Sequence, residues 1–90
     1  MLFVALFKVR SGTEEERVGR RMQWQFPEGV KHVAEYWLHS TKPEVISVFE
    51  ADSFAEMMQI TAAWNDMYDI KIFPAINAEE GMEVVKQMMG

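Results

Sequence analysis

The alternation of apolar and polar positions along the chain predicts four strands separated by helices. Residues 2–9 (LFVALFKV) are apolar on both faces of a strand, because successive side chains of a strand point to opposite sides of its sheet. Residues 45–51 (VISVFEA) are nearly so. Residues 30–39 and 68–76 mix polar side chains or a proline with their apolar ones, as edge strands do. The first and third strands are therefore predicted to be central, with the other two at the edges.

Capping signals mark the starts of the helices. Thr13 followed by Glu16, and Ser53 followed by Glu56, have the spacing of a capping box, in which two side chains satisfy free amides of the first helical turn. A third helix, with one apolar side, is predicted to begin at Asn77. The predicted helices therefore run from Thr13 to about Phe26, from Ser53 to about Asn65, and from Asn77 onward.

This order of elements is that of the ferredoxin-like α+β fold, β-α-β-β-α-β, followed by a C-terminal helix. Right-handed crossovers in that topology place the first and third strands at the centre of a four-stranded antiparallel sheet. The two helices between strands cover one face of the sheet, and a second copy of the chain is the simplest cover for the other apolar face. We expect a single domain over residues 1–90 that forms a homodimer through its sheet face.

Short motifs give the chain a family resemblance. They are residues 27–29 (PEG), Trp37, residues 49–51 (FEA), Trp64 with Asp66, and residues 72–74 (IFP). On these motifs, which fall between Leu2 and Ile76, the chain resembles the dimeric α+β barrel superfamily and, more narrowly, a family of uncharacterised domains of similar length. The narrow family implies no activity. The superfamily includes cofactor-free quinone-forming monooxygenases, haem-degrading enzymes, muconolactone isomerases and ligand-sensing domains, and its members commonly hold a ligand between the sheet and the helices.

Composition limits the partners and cofactors. Fourteen acidic against nine basic residues give a net charge of −5, which repels nucleic acid and anionic membranes. The arginines at positions 10, 17, 20 and 21 form a local basic patch, which we interpret as solvated charges of a helix face, with a site for an anionic ligand as the alternative. The chain has no cysteine, which excludes disulfides and thiolate chemistry. Residues 1–7 (MLFVALF) lack the basic region and cleavage site of a signal peptide and are too short to span a membrane, so we expect a cytoplasmic location.

Two side chains are weak candidates for acid–base catalysis. His32 is one because imidazole exchanges protons near neutral pH, although a histidine hydrogen-bonded at an interface or sheet edge fits the sequence as well. Glu50 is the other, and its alternative role is an ion pair with Lys8 or Lys71. His39 is expected to be solvated. No set of metal ligands converges and no helix between strands offers a haem-binding histidine, so no metal or cofactor is expected.

The predicted ligand-binding residues are Tyr36, Trp37, Trp64 and Asn65. The aromatic side chains suit a flat apolar pocket for an aromatic or polyketide-like molecule, and filling of the core and dimer interface is the alternative. His32 and Trp37 have opposite parity on one strand, so only a bulge would place both in one cavity. The first hypothesis is a homodimer that binds such a molecule, of the cofactor-independent monooxygenase or isomerase type. The second is a non-catalytic ligand sensor or protein-interaction module, and no motif decides whether the chain is an enzyme.

Overall fold

The computed structural model describes residues 1–90 and has the predicted order of elements. In chain order these are β1 (Leu2–Val9), α1 (Glu14–Gln23), β2 (Lys31–Trp37), β3 (Val45–Glu50), α2 (Ala55–Trp64), β4 (Tyr68–Ala75) and α3 (Ala78–Met89). Helix α1 ends earlier than predicted. Trp24 already has an extended backbone, with φ −73° and ψ 135°. Its indole packs edge-to-face against Trp64 at 5.7 Å between ring centroids, so the chain leaves the helix where this ring enters the core.

The four strands form one antiparallel sheet in the order β2-β3-β1-β4. The two strands that are apolar on both faces, β1 and β3, are the central pair, as predicted. Pro74 lies in β4 opposite Phe3. It is tolerated there because an edge strand leaves one side of its backbone without a partner. The chain therefore has the ferredoxin-like α+β fold that its pattern indicated, with α3 appended.

The core lies between the sheet and the first two helices. Alternate side chains of β1 point into it, and Phe3, Ala5 and Phe7 are buried there. Helix α2 contributes Met57 and Ile60, which are 0% and 1% exposed. The rest of this buried cluster is Phe49, Ala51, Trp64, Met67 and Tyr68.

The other face of the sheet, called the open face below, carries a second set of apolar side chains. Those side chains are Leu2, Val4 and Leu6 of β1, Ile46 and Val48 of β3, Ala34 and Tyr36 of β2, and Phe73 of β4. Tyr36 and Phe73 are 59% and 50% exposed. The chain thus leaves uncovered the second apolar face that the strand pattern indicated. None of its helices has the length and apolar character of a membrane-spanning segment.

A capping box opens α1, as predicted. The Thr13 hydroxyl accepts a hydrogen bond from the Glu16 backbone amide at 3.1 Å and donates one to the Glu16 carboxylate at 3.1 Å. At the second helix, Ser53 bonds to the Glu56 carboxylate at 2.8 Å, but the residue at the cap position is Phe54, which makes no side-chain capping bond. The side chain of Thr13 therefore caps the first turn of α1.

We expect Thr13→Ala to lower the free energy of unfolding by about 1 kcal/mol, because an amide of the first turn loses its acceptor. Thr13→Ser keeps the hydroxyl and is the matched control, with an expected change of a few tenths of a kcal/mol at most. Urea denaturation followed by circular dichroism measures both variants. Equal losses for alanine and serine would contradict the capping role.

Candidate functional site

A cavity of about 580 Å³ lies between the helices and the β2 side of the sheet. Its apolar wall is aromatic, with Trp24 against Trp64 at 5.7 Å and Trp64 against Tyr68 at 5.9 Å between ring centroids. The rings of Phe26 and Phe49 continue this wall. Pockets for small molecules usually measure about 300–1,000 Å³, so the volume suits an organic molecule of modest size.

A β-bulge in β2 decides which side chains face this cavity. The pairing with β3 shifts between His32 and Ala34, and His32 lies opposite the buried Phe49. A bulge inserts one residue and so inverts the alternation of faces beyond it. His32 therefore shares the helix-facing side of the sheet with Glu35 and Trp37. The structure thus contains the bulge that His32 and Trp37 need in order to lie on the same side of the sheet.

One polar wall of the cavity is an ion pair with little solvent contact. Arg17 donates through Nε and Nη2 to the two carboxylate oxygens of Glu44, at 3.0 Å each. The Tyr68 hydroxyl donates to the same carboxylate at 2.7 Å, and Arg17 Nη1 donates to the carbonyl of Gly12. The Arg17 and Glu44 side chains are only 7% and 18% exposed. This fork-to-fork geometry fixes both side chains in one orientation.

Hydrogen bonds and burial set the protonation states of this group. The bonds from Arg17 lower the pKa of Glu44 below its ordinary value of 4.5, and they outweigh desolvation, which acts the other way. Burial, followed by the hydrogen bond to Glu44, raises the pKa of the Tyr68 hydroxyl well above 10.0. At neutral pH the wall therefore consists of a carboxylate, a guanidinium and a neutral phenol. None of the three exchanges protons readily near neutrality.

A second ion pair centres on Glu35. Its carboxylate accepts hydrogen bonds from Arg21 Nε at 3.1 and 3.2 Å, and from the indole N–H of Trp37. His32 Nε2 lies 3.5 Å from Glu35 Oε1, too poorly aligned for a hydrogen bond, and has no other partner. The imidazole stacks on the ring of Phe26 at 4.6 Å. Glu35 thus fixes the indole of Trp37. It also lies beside His32, the only histidine with an unpaired buried nitrogen.

The sequence model of the family described as "Domain of unknown function (DUF3303)" matches residues 1–89. The chain belongs to the DUF3303 family. The predicted membership of a family of uncharacterised domains is thereby confirmed. No curated protein and no solved structure matches the chain.

This DUF3303 domain separates the residues that were predicted to bind a ligand. Trp37 and Trp64 both line the cavity. Tyr36 lies on the open face, where it pairs with Ile46, and lines no part of the cavity. Grouping it with Trp37 was wrong, because neighbouring residues of a strand point to opposite faces. Asn65 caps the C-terminal end of α2 and is exposed, outside the cavity lining.

The catalytic candidate Glu50 lies away from the cavity, at the end of β3. It is 51% exposed and forms an ion pair of 3.7 Å with Lys31. The expected pairing with Lys8 or Lys71 was wrong, because β1 and β3 are antiparallel and Glu50 lies opposite Leu2, at the far end of β1. A solvated carboxylate lacks the burial that would turn it into a base near neutral pH.

Several polar residues of the DUF3303 cavity carried no signal in the sequence. Arg17 was interpreted as a solvated helix-face charge, yet it is 6% exposed. Its partner Glu44 is 27 residues away along the chain, and Tyr68 is further still. Only the folded chain brings these groups together, so no local pattern identifies them. No cluster of three or more histidine, aspartate or glutamate side chains with the geometry of a metal site is present.

Proposed function

We propose that this DUF3303 domain is a homodimer that binds a small, flat, aromatic-like molecule in the cavity between its sheet and its helices. The lining of the cavity carries the proposal. Stacked aromatic rings form an apolar wall, and a few polar groups are held in place by the two ion pairs. Ligand sites in proteins combine these two features, since apolar surface supplies affinity and a few polar groups set the orientation.

The two ion pairs favour a ligand without net charge. Arg17 and Arg21 are each already bonded to a carboxylate, so an anionic ligand would compete with Glu44 and Glu35 for them. A cationic ligand would in turn compete with the two guanidinium groups for the same carboxylates. A neutral ring with a hydroxyl or carbonyl group avoids the cost of burying a further charge.

Binding without turnover is the form of the proposal that the geometry supports best. The Arg17, Glu44 and Tyr68 groups keep fixed protonation states near neutral pH, so they suit recognition rather than proton transfer. For an isomerase or a cofactor-independent monooxygenase, the only imidazole that lines the cavity is that of His39, whereas His32 lies outside the lining. A ligand-sensing module therefore ranks first and an enzyme second.

The homodimer part of the proposal rests on the open face. Val4, Leu6 and Val48 lie in central strands, and the half-exposed Phe73 extends the same apolar surface at the edge. Large contiguous apolar patches are rare on monomeric proteins and mark interaction sites. The open face of a second copy has the same chemistry and can pack against it at the usual spacing of about 10 Å between sheets.

Trp37→Ala tests the ligand site, with Tyr36→Ala as its control. Native mass spectrometry first screens neutral planar aromatic compounds against the protein and reports the number of subunits. We expect Trp37→Ala to weaken the binding of a compound found in this way by about tenfold, because one rim ring is lost. Tyr36 is its neighbour and equally exposed at 59%, but lies on the opposite face, so Tyr36→Ala should leave the affinity unchanged.

Either of two results would contradict the ligand proposal. One is that no neutral planar compound binds, and the other is that both variants lose affinity equally. A protein that stays monomeric at micromolar concentration would contradict the homodimer, whatever the outcome for the ligand.

A further inference from the structure

Helix α3 (Ala78–Met89) is the element that the chain leaves without a packing partner. None of its residues is buried, and its side-chain hydrogen bonds and ion pair stay within the helix and its capping residue Asn77. At 3.6 residues per turn, its apolar residues fall on one side and its glutamates on the other. The apolar side consists of Ala78, Met82, Val84, Val85, Met88 and Met89. Met82 and Val85 at its centre remain 58% and 46% exposed.

The overall dimensions show that this helix projects from the domain. The chain has a radius of gyration of 15.0 Å, whereas a compact chain of 90 residues has one of about 12 Å. Its long dimension is 52 Å and its short one 17 Å. Strand β4 and helix α3 together would span about 45 Å if the helix continued from the strand. The shape is therefore a two-layer domain with α3 extending beyond its end.

The solvent-exposed area of the chain is larger than that of a compact monomer, and the excess indicates how much surface a partner would cover. The chain exposes 6384 Å², about 950 Å² more than a compact monomer of 10.5 kDa. Two such chains that buried only this excess would bury about 1,900 Å² in total. That area lies within the range of a standard stable protein–protein interface, about 1,200–2,000 Å². Association with one further copy of the chain is therefore enough to bring the exposed area of each chain down to that of a compact monomer.

Charged side chains border both of these apolar surfaces. On the polar side of α3, Glu79 and Glu80 make no ion pair, whereas Glu83 pairs only with Lys86 of the same helix. On the open face, Lys71 lies opposite Leu6 and makes no ion pair either. Lys8 of the same face is also unpaired. These two lysines flank the apolar surface formed by Leu6 and Phe73.

We propose that α3 is an exchanged arm, whose apolar side packs on a second copy at the β4 edge of its open face, beside Phe73. The glutamates on the other side of the helix then remain in solvent. This inference rests on the proposed homodimer and adds a contact to it, because the homodimer as proposed above needs the open faces alone. The ligand cavity lies on the other side of the sheet and takes no part in the exchange.

Val85→Asp tests the arm, with Gln87→Asp as the matched control on the polar side of the same helix. We expect Val85→Asp to raise the dissociation constant of the dimer by about 30-fold or more, because it buries an unpaired carboxylate. Gln87→Asp should change it by less than about threefold. Analytical ultracentrifugation measures both. Since α3 buries no side chain in its own chain, near-ultraviolet circular dichroism should show both variants folded.

The position of the arm is tested by cross-linking. The chain has no cysteine, so Val85→Cys provides a single attachment site for a benzophenone label. Labelled chains are mixed with ¹⁵N-labelled chains, irradiated and digested. Cross-links from light chains to heavy peptides of β1 or β4 support the inference, and cross-links only within one chain or between two α3 helices overturn it.

The outcomes separate this inference from the proposed function. A dimer that Val85→Asp leaves intact overturns the arm but keeps the sheet-face homodimer and the ligand site. A wild-type chain that is monomeric throughout overturns both the homodimer and the arm. Loss of ligand binding in Trp37→Ala depends on neither result.

Discussion

Glu44→Ala is expected to lower the free energy of unfolding by about 3 to 5 kcal/mol. The reason is that the Arg17 guanidinium, only 7% exposed, would remain buried without its anion. The Tyr68 hydroxyl would lose its acceptor at the same time. A domain of this size has a total stability of the order of 5–13 kcal/mol, so the variant would unfold at low concentrations of urea.

Glu50→Ala is the matched control, because it removes a carboxylate from the opposite end of β3. That carboxylate is 51% exposed and its ion pair with Lys31 is 3.7 Å long, so we expect a change of about 0.5 kcal/mol at most. The double variant Arg17→Met/Glu44→Leu should recover much of the loss, because it removes both charges together. Similar losses for Glu44→Ala and Glu50→Ala in urea denaturation would show that the ion pair at Arg17 carries no special weight.

The carboxylate of Glu44 also predicts that the stability of the protein depends on pH. The folded protein holds the pKa of Glu44 below 4.5, so the folded state binds this proton less tightly than the unfolded state. The stabilisation is therefore complete above pH 4.5 and declines as the pH falls through the lowered pKa. The stability gap between wild type and Glu44→Gln should shrink over that range. A gap that stays constant from neutral pH into acid would contradict this assignment.

Phe49→Ala is expected to lower the free energy of unfolding by a similar amount, about 3 to 5 kcal/mol. Phe49 lies in the central strand β3 and is 1% exposed, with the rings of Phe26 at 5.6 Å and His32 at 5.3 Å. Removal of this ring empties a volume that the strands cannot close, because the sheet holds their spacing. The midpoint of thermal unfolding should fall by about 15 °C or more.

Phe54→Ala is the control for the core prediction. Phe54 is 47% exposed, and its ring lies 6.0 Å from that of Phe3 between centroids. We expect its loss to cost about 1 kcal/mol. Differential scanning calorimetry measures both variants. If Phe54→Ala destabilised the protein as much as Phe49→Ala, burial of the ring would not set the cost of its removal.

The pattern of apolar residues was sufficient to predict the architecture. Residues 2–9 and 45–51 are apolar on both faces of their strands, and only central strands need this. The mixed character of the other two strands placed them at the edges, and the capping box at Thr13 marked the start of α1. These signals are local, because each depends on residues within one element, so the sequence expresses them directly.

The candidate site was predicted only in part. Trp37 and Trp64, which their chemistry marked as ligand-binding candidates, both line the cavity. Tyr36 was misplaced because its neighbour Trp37 occupies the other face. Whether Trp37 would share its face with His32 depended on a bulge, and the pairing of β2 with β3, rather than the sequence of β2 alone, determines the register.

By itself the sequence determined the order of the elements, the central strands and the apolar second face of the sheet. Each of these follows from side-chain periodicity within a strand or helix, whatever the rest of the chain does. Only the tertiary structure decided that Arg17 is buried rather than solvated, since its partner Glu44 reaches it from a distant turn. It also decided that α3 stands free of its own domain. Contacts between distant segments depend on three-dimensional packing, and no local pattern records them.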